Sequence, residues 1–158
     1  MKNPLTDNYL SLKSLVLSSN FPWYFCRNAD DDFDFHGHSF IERPESGLRL
    51  PVIKSNDFDL CYTVFMEILE YNEVSVNTFY RMGANAVSPS SSRNPVEHVD
   101  HEFPHKNLLV YLTDAGGATI VEGKRYDPQE DSLLLFTGRH YHEFPKERRR
   151  VVLVATFI

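Results

Sequence analysis

A chain of 158 residues, 42% hydrophobic and 13% aromatic, can bury one sizeable core and leaves no length for a second catalytic domain. A net charge of −6, with cations clustered only at Arg148, Arg149 and Arg150, argues against a nucleic-acid partner. No apolar run is long enough to span a membrane.

Taken in order, Thr6 or Asp7 can cap a short helix through LSLKSLVLS, whose leucines recur at helical spacing. Lys13 interrupts that stretch and makes it too polar for an export signal, so a cytoplasmic protein is expected. Phe21 to Phe25 reads as an aromatic strand and NADDDFD as a solvated acidic turn, because a calcium loop needs more regular oxygen spacing and a later glutamate. Cys26 and Cys61 lie far apart among apolar neighbours and read as buried free thiols of a reducing compartment. His36-Gly37-His38 has the H-x-H form that cupins use for metal, and it is the rival metal pair in this chain; otherwise these histidines line a pocket or pack. GLRLP leads into a helix from about Asp57 to Tyr71, with Leu60, Val64 and Ile68 on one apolar face.

Glu73 to Met82 alternates polar and apolar residues and is expected to be the first main strand of a β core. The next stretch, 83–97, is rich in Ser, Pro and Asn and lacks periodicity, which fits a lid. Lys106 to Thr113 and Ala118 to Val121 read as strands of a hairpin across Asp114 to Gly117, and VEGKRYDP as a second hairpin turning at Gly123. LLLF is a buried strand, TGRHY the turn after it, and RRRVVLVATF the closing strand. Many short strands with turn signals argue for a mainly β, double-sheet jelly roll, or double-stranded β-helix, with flanking helices. We expect a single domain over residues 1–158, with a support region at about 1–72 and the β core at about 73–158.

Two pieces of chemistry stand out in that core. On a strand, residues i and i+2 point the same way, so His98 and Asp100 can grip one ion together. Two imidazoles and one carboxylate on one face of a metal leave the other face open, as non-haem Fe(II) requires when it must also bind a co-substrate and oxygen. His140 and His142 share strand parity and either can supply the third ligand; His101 and His105 read as surface or pocket histidines. A few residues on, a guanidinium of the arginine run can hold a carboxylate bidentately.

His98-Val99-Asp100, KNLLVYLTDAGGATIV, DSLLLFTGRHYHEF and RRVVLVATF together resemble the core of the Fe(II)- and 2-oxoglutarate-dependent dioxygenases, in their prolyl-hydroxylase-like branch. FPWYF, FHGHSFI and the helix around Tyr62 are similar to short phage-encoded members. The resemblance implies a cupin-like jelly roll with Fe(II), 2-oxoglutarate and O2. It makes His98, Asp100 and His142 the metal ligands and catalytic residues, since the family's histidine lies six residues after the phenylalanine, here Phe136. It makes Arg150 the anchor of the far carboxylate of 2-oxoglutarate, with Arg148 and Arg149 as competitors. Tyr111 and Tyr80 fall where related enzymes hydrogen-bond the co-substrate. One departure is that the stretch from His142 to Arg150 is a little shorter than in many relatives.

The activity so implied is hydroxylation of a C–H bond, coupled to conversion of 2-oxoglutarate into succinate and CO2. Asp100 favours hydroxylation, because halogenating relatives lack that carboxylate. A peptidyl or small-molecule substrate is expected, with no membrane partner. The competing reading from another class is a non-catalytic cupin-like binding module, holding metal through His36 and His38 or holding none.

Overall fold

The computed structural model describes residues 1–28, 33–42, 51–91 and 96–158. Helix α1 (Asp7–Leu17) begins where Thr6 accepts a hydrogen bond from the Tyr9 amide, and its Tyr9, Leu12 and Val16 are buried. Helix α2 (Phe58–Tyr71) buries Cys61, Val64, Phe65, Ile68 and Leu69. Thr6 and Asn8 both donate to the Glu67 carboxylate, which ties the two helices together. No helix among the described residues is long and apolar enough to cross a membrane.

Among the described residues ten strands follow a mainly β plan: β1 (Tyr24–Asn28), β2 (Phe33–Glu42), β3 (Val52–Ile53), β4 (Phe79–Val87), β5 (Lys106–Tyr111), β6 (Thr119–Val121), β7 (Lys124–Tyr126), β8 (Leu133–Phe136), β9 (His140–His142) and β10 (Arg150–Phe157). The large sheet runs β1-β2-β4-β10-β5-β8, with β3 beside β2, and the small one runs β7-β6-β9. Every pairing between these strands is antiparallel.

Strand β10 shows why the sheets face as they do. All eight of its residues are buried, so it reads as a continuous apolar run, yet the two parities go to different cores. Val151, Leu153, Ala155 and Phe157 pack under the helices, while Val152 and Val154 join Leu109, Tyr111, Val121, Leu134 and Phe136 between the sheets. Fully burying such a side chain is worth about 1.5–3 kcal/mol. Arg150 shares parity with Val152 and therefore faces the inter-sheet space.

The helices, LLLF and the closing strand lie where the sequence puts them, and the architecture is the jelly roll expected. Several boundaries differ. The aromatic strand begins at Tyr24, with Phe21 packed in the helix-side core against Trp23 and Phe40. The first core strand is Phe79–Val87 and not Glu73 to Met82, so residues 83–87 of the expected lid are strand. Alternation is weak there because both faces of β4 are covered. Residues 92–95 of that stretch lie outside the described residues, as do most of the acidic turn and of GLRLP. The expected hairpin over Asp114 to Gly117 is a crossover, since β5 belongs to the large sheet and β6 to the small one. The second hairpin forms as expected, with Glu122 and Gly123 both at positive φ in its two-residue turn. Strand β2 hydrogen-bonds to β4, so one continuous sheet crosses the expected boundary near residue 72.

Candidate metal centre

A cavity of about 760 Å³ opens between the sheets. Its floor follows from strand register. Across the inner face of the large sheet, Gly37, Asn85, Val152 and Tyr111 form one row; Ser39, Gly83, Val154 and Leu109 form the next; Arg81, Thr156 and Asn107 form a third. Arg150, opposite Val87, stands beyond the first row.

Near the third row, His98, Asp100 and His140 bring one ligand atom each to within 4.8 Å of one another. The chain does this through a single antiparallel bridge, in which the backbones of His98 and His140 exchange two hydrogen bonds of 2.9 Å. Asp100 then reaches the same point from two residues further on, with its Oδ2 3.5 Å from His140 Nε2. The rest of each side chain is prepared for ligation. His98 Nδ1 donates to the Val96 carbonyl and His140 Nδ1, at 3.4 Å, to that of Gly138. A carbonyl can only accept, so the proton sits on Nδ1 and each Nε2 keeps its lone pair. Arg81 donates to Asp100 Oδ1 at 3.3 Å and leaves Oδ2 toward His140.

Burial pushes the His140 imidazole below its ordinary value against the pull of Asp100. Burial, followed by the Arg150 cation, pushes His142 well down. Both rings are neutral at neutral pH, the form that binds metal. Neutral nitrogen and carboxylate oxygen, three to one side, suit a divalent iron better than a soft thiophilic metal.

His142, the expected third ligand, is not in this group. Its ring centroid lies 5.3 Å from that of His140. Its Nδ1 is 2.9 Å from Thr119 Oγ1, which in turn is 2.7 Å from the Tyr111 hydroxyl. Parity alone does not separate His140 from His142, because both line the cavity; pairing with His98 is what sets His140 beside Asp100.

The other expected residues divide clearly. Arg150 is 4% exposed and lines the cavity, with Nη1 donating to the carbonyls of Gly117 and Glu143. Burial lowers its pKa from the ordinary value, but a guanidinium stays charged. Among the described residues no carboxylate lies within 4.0 Å of it. Arg148 and Arg149 are exposed, and Arg148 binds the Asp114 carbonyl. Tyr111 is buried in the cavity wall, where burial raises its pKa. Tyr80 lies outside the cavity lining and packs on His101 and Phe103. Its number places it with Met82 and Ala84 on the helix side, but the β4–β10 register skips at this residue, and the bulge takes the ring off that face.

His36 and His38 stand apart from this centre. His38 donates through Nδ1 to the Pro22 carbonyl, places Nε2 2.8 Å from Ser55 Oγ, and packs between Phe21 and Phe40. With both nitrogens engaged it has no lone pair for a metal. His101 bonds Thr156 and His105 bonds the Phe103 carbonyl, and neither lines the cavity. Cys26 and Cys61 are free thiols; Cys61 is buried, whereas Cys26 lines the cavity. Sequence reasoning missed Arg81 and Asn85, which carry no motif, and Thr119, which lies inside the quoted stretch KNLLVYLTDAGGATIV. Gly117, at φ +78°, precedes it by two residues; a Cβ there would meet Glu143 O at 2.6 Å and Arg150 Nη1 at 2.9 Å.

No protein-family model and no curated protein matches the chain. Solved structures do. A 2OG-Fe(II) oxygenase family oxidoreductase from Burkholderia pseudomallei superposes with TM-score 0.72 over 96% of this chain and 79% of its own, at 13% identity. A predicted oxalate decarboxylase from Thermotoga maritima gives TM-score 0.55 over 89% of this chain and 96% of its own, at 11% identity. At such identities the likeness is one of fold, the cupin-type jelly roll, and hosts of this fold differ widely in activity.

Proposed function

We propose that this protein is an Fe(II)- and 2-oxoglutarate-dependent oxygenase that hydroxylates a C–H bond. The observation that carries the reading is Arg150. A cation almost fully withdrawn from water and with no carboxylate within 4.0 Å among the described residues is costly unless a ligand completes it. It shares one cavity with a two-histidine, one-carboxylate group, and a keto-acid with a second carboxylate satisfies both ends at once.

In this reading His98, Asp100 and His140 hold the iron, and His142 stands beside it. When bound, iron with 2-oxoglutarate supplies the oxidising chemistry, releasing succinate and CO2 as O2 is consumed. The chain's own residues do the rest. The Nδ1 protons of His98 and His140 hold the rings in the ligating tautomer. Arg81 fixes the carboxylate of Asp100. Arg150, braced on two carbonyls, receives the distal carboxylate, with Tyr111, Thr119 and His142 forming a hydrogen-bonding wall beside it. Val152, Val154 and Leu109 exclude water from the space between, which strengthens the charged contacts.

The test is thermal unfolding of metal-stripped protein, then with Mn(II) as a redox-inert stand-in, then with Mn(II) and 2-oxoglutarate. Ligand at a hundred times its dissociation constant adds about 2.7 kcal/mol, on the order of 5–10 °C for a chain of this size. A stepwise rise, with 2-oxoglutarate acting only after metal, is expected. A response to Mn(II) with none to 2-oxoglutarate would sink the oxygenase and leave a cupin-like metal-binding module.

A further inference from the structure

The half of the cavity floor on β2 and β4 is built differently from the apolar half on β10 and β5. On β2 and β4, Gly37 pairs with Asn85 and Ser39 with Gly83, so four neighbouring inward positions alternate glycine and polar residue at the corners of one square. The two glycines leave bare backbone between the two polar side chains. The squeeze around them is tight: a Cβ on Gly37 would lie 3.1 Å from Cys26 Sγ, and one on Gly83 would lie 3.0 Å from the His38 carbonyl. The Asn85 carboxamide and Ser39 hydroxyl make no hydrogen bond to other described residues, although both line the cavity. An asparagine offers a carbonyl acceptor to an amide N–H.

Charge distinguishes this patch from the Arg150 end. The ionised groups beside it are already matched, Arg81 with Asp100 and Glu42 with Lys54, and Arg27 stands exposed at the rim. No buried unpaired charge calls for an ion here. The floor also does not stop at the main cavity. A second hollow of about 400 Å³ shares Ser39, Asn85 and Arg81 with it and carries on past Gly83 to Lys54 and the exposed ring of Tyr24. A ligand lying on the patch can therefore continue outward as a chain.

We propose that the glycine-floored patch of Gly37, Ser39, Gly83 and Asn85 binds a trans backbone amide of a peptide substrate, with the Asn85 carboxamide oxygen accepting from the amide N–H. This rests on the oxygenase reading, because it places the peptide beside the metal group through the adjacent Arg81–Asp100 pair. The substrate class is then peptidyl, and the carbon oxidised lies within a residue or so of the amide held by Asn85.

The experiment uses the full chain loaded with Zn(II), a diamagnetic stand-in that leaves nearby NMR signals sharp, and 2-oxoglutarate, after titration has shown whether Mn(II) and 2-oxoglutarate bind. A panel of N-acetyl amino-acid N-methylamides is titrated against the matching methyl esters and primary amides, reading the Asn85 side-chain NH2 signal by NMR. That signal is assigned by its loss in Asn85→Leu, whose fold is checked by thermal melting. The expected result is that at least one methylamide moves the Asn85 signal and binds tighter than its ester, on the order of tenfold for one hydrogen bond. Asn85→Leu should remove that preference. Tighter binding of primary amides than of methylamides would replace the peptide with a small carboxamide and overturn the proposal. Equal binding of ester and amide, no binding by the panel, or an Asn85→Leu change that weakens only 2-oxoglutarate would also overturn it. If Mn(II) and 2-oxoglutarate fail to bind while the methylamides still shift Asn85, the oxygenase reading falls and the amide patch stands alone.

Discussion

Two wings of one floor lie side by side on the same sheet. The β10–β5 wing is apolar, Val152, Val154 and Leu109, and is capped by a buried cation at one end and the His98–Asp100–His140 group at the other. The β2–β4 wing is polar and glycine-rich, open to solvent, and its charges are already paired. A closed wing with an unmatched charge selects a small anion by electrostatics, whereas an open wing with unmatched neutral hydrogen bonders selects by shape and amide geometry. The same antiparallel ladder supports both, because register decides which residues meet and parity decides which face they share.

The comparison breaks most completely at the metal group. Asp100→Ala or His140→Ala should abolish the Mn(II)-dependent rise in unfolding temperature and all succinate formation. His142→Ala should keep the Mn(II) step; if His142→Ala loses it and His140→Ala keeps it, the ligand set proposed for the iron is wrong.

The next largest effect belongs to Arg150. Arg150→Ala should leave the Mn(II) step intact and weaken 2-oxoglutarate by about 2–5 kcal/mol, the usual loss for one side of a buried charge-assisted pair. Titration calorimetry on the Mn(II)-loaded protein measures it, and an unchanged affinity would remove Arg150 from the co-substrate site.

Arg81 sharpens the boundary between the wings, since it touches Asp100 and not the ion. Arg81→Met should lower Mn(II) affinity roughly 10- to 100-fold, as groups that orient metal ligands do. Its effect on 2-oxoglutarate, measured at saturating Mn(II), should be small.

The smallest expected effect is at Gly117. Gly117→Ala places a Cβ against Glu143 O and the Arg150 guanidinium, in backbone at φ +78°. The left-handed conformation alone costs about 1–2 kcal/mol for an alanine. Denaturant unfolding should register that loss, and 2-oxoglutarate affinity should fall while Mn(II) affinity holds.

Much of the fold was legible in advance for identifiable reasons. Thr6 followed by leucines at helical spacing marks α1, the apolar face of FDLCYTVFMEILEY marks α2, and the Gly123 turn marks its hairpin. Other boundaries were not legible. Strand β4 is covered on both faces, so its alternation is faint and its start was placed too early. The Gly116-Gly117 turn looks like a hairpin, yet it carries the chain from one sheet to the other, and nothing local distinguishes a turn within a sheet from a step between two.

By itself the sequence put His98 and Asp100 close together, although they meet at an isolated bridge and a bend and not on a strand, and it determined that Arg150 points with Val152, because a strand's period of two is set by backbone geometry. It also brought His140 and His142 to one face and could not choose between them, for the same reason. Only the tertiary structure set His140 rather than His142 beside His98 and Asp100, through the His98–His140 bridge, just as only the bulge at Tyr80 took that ring off the helix-side face its number predicts. Which strand pairs with which, and in what register, depends on contacts between residues far apart in the chain, and local periodicity carries no record of them.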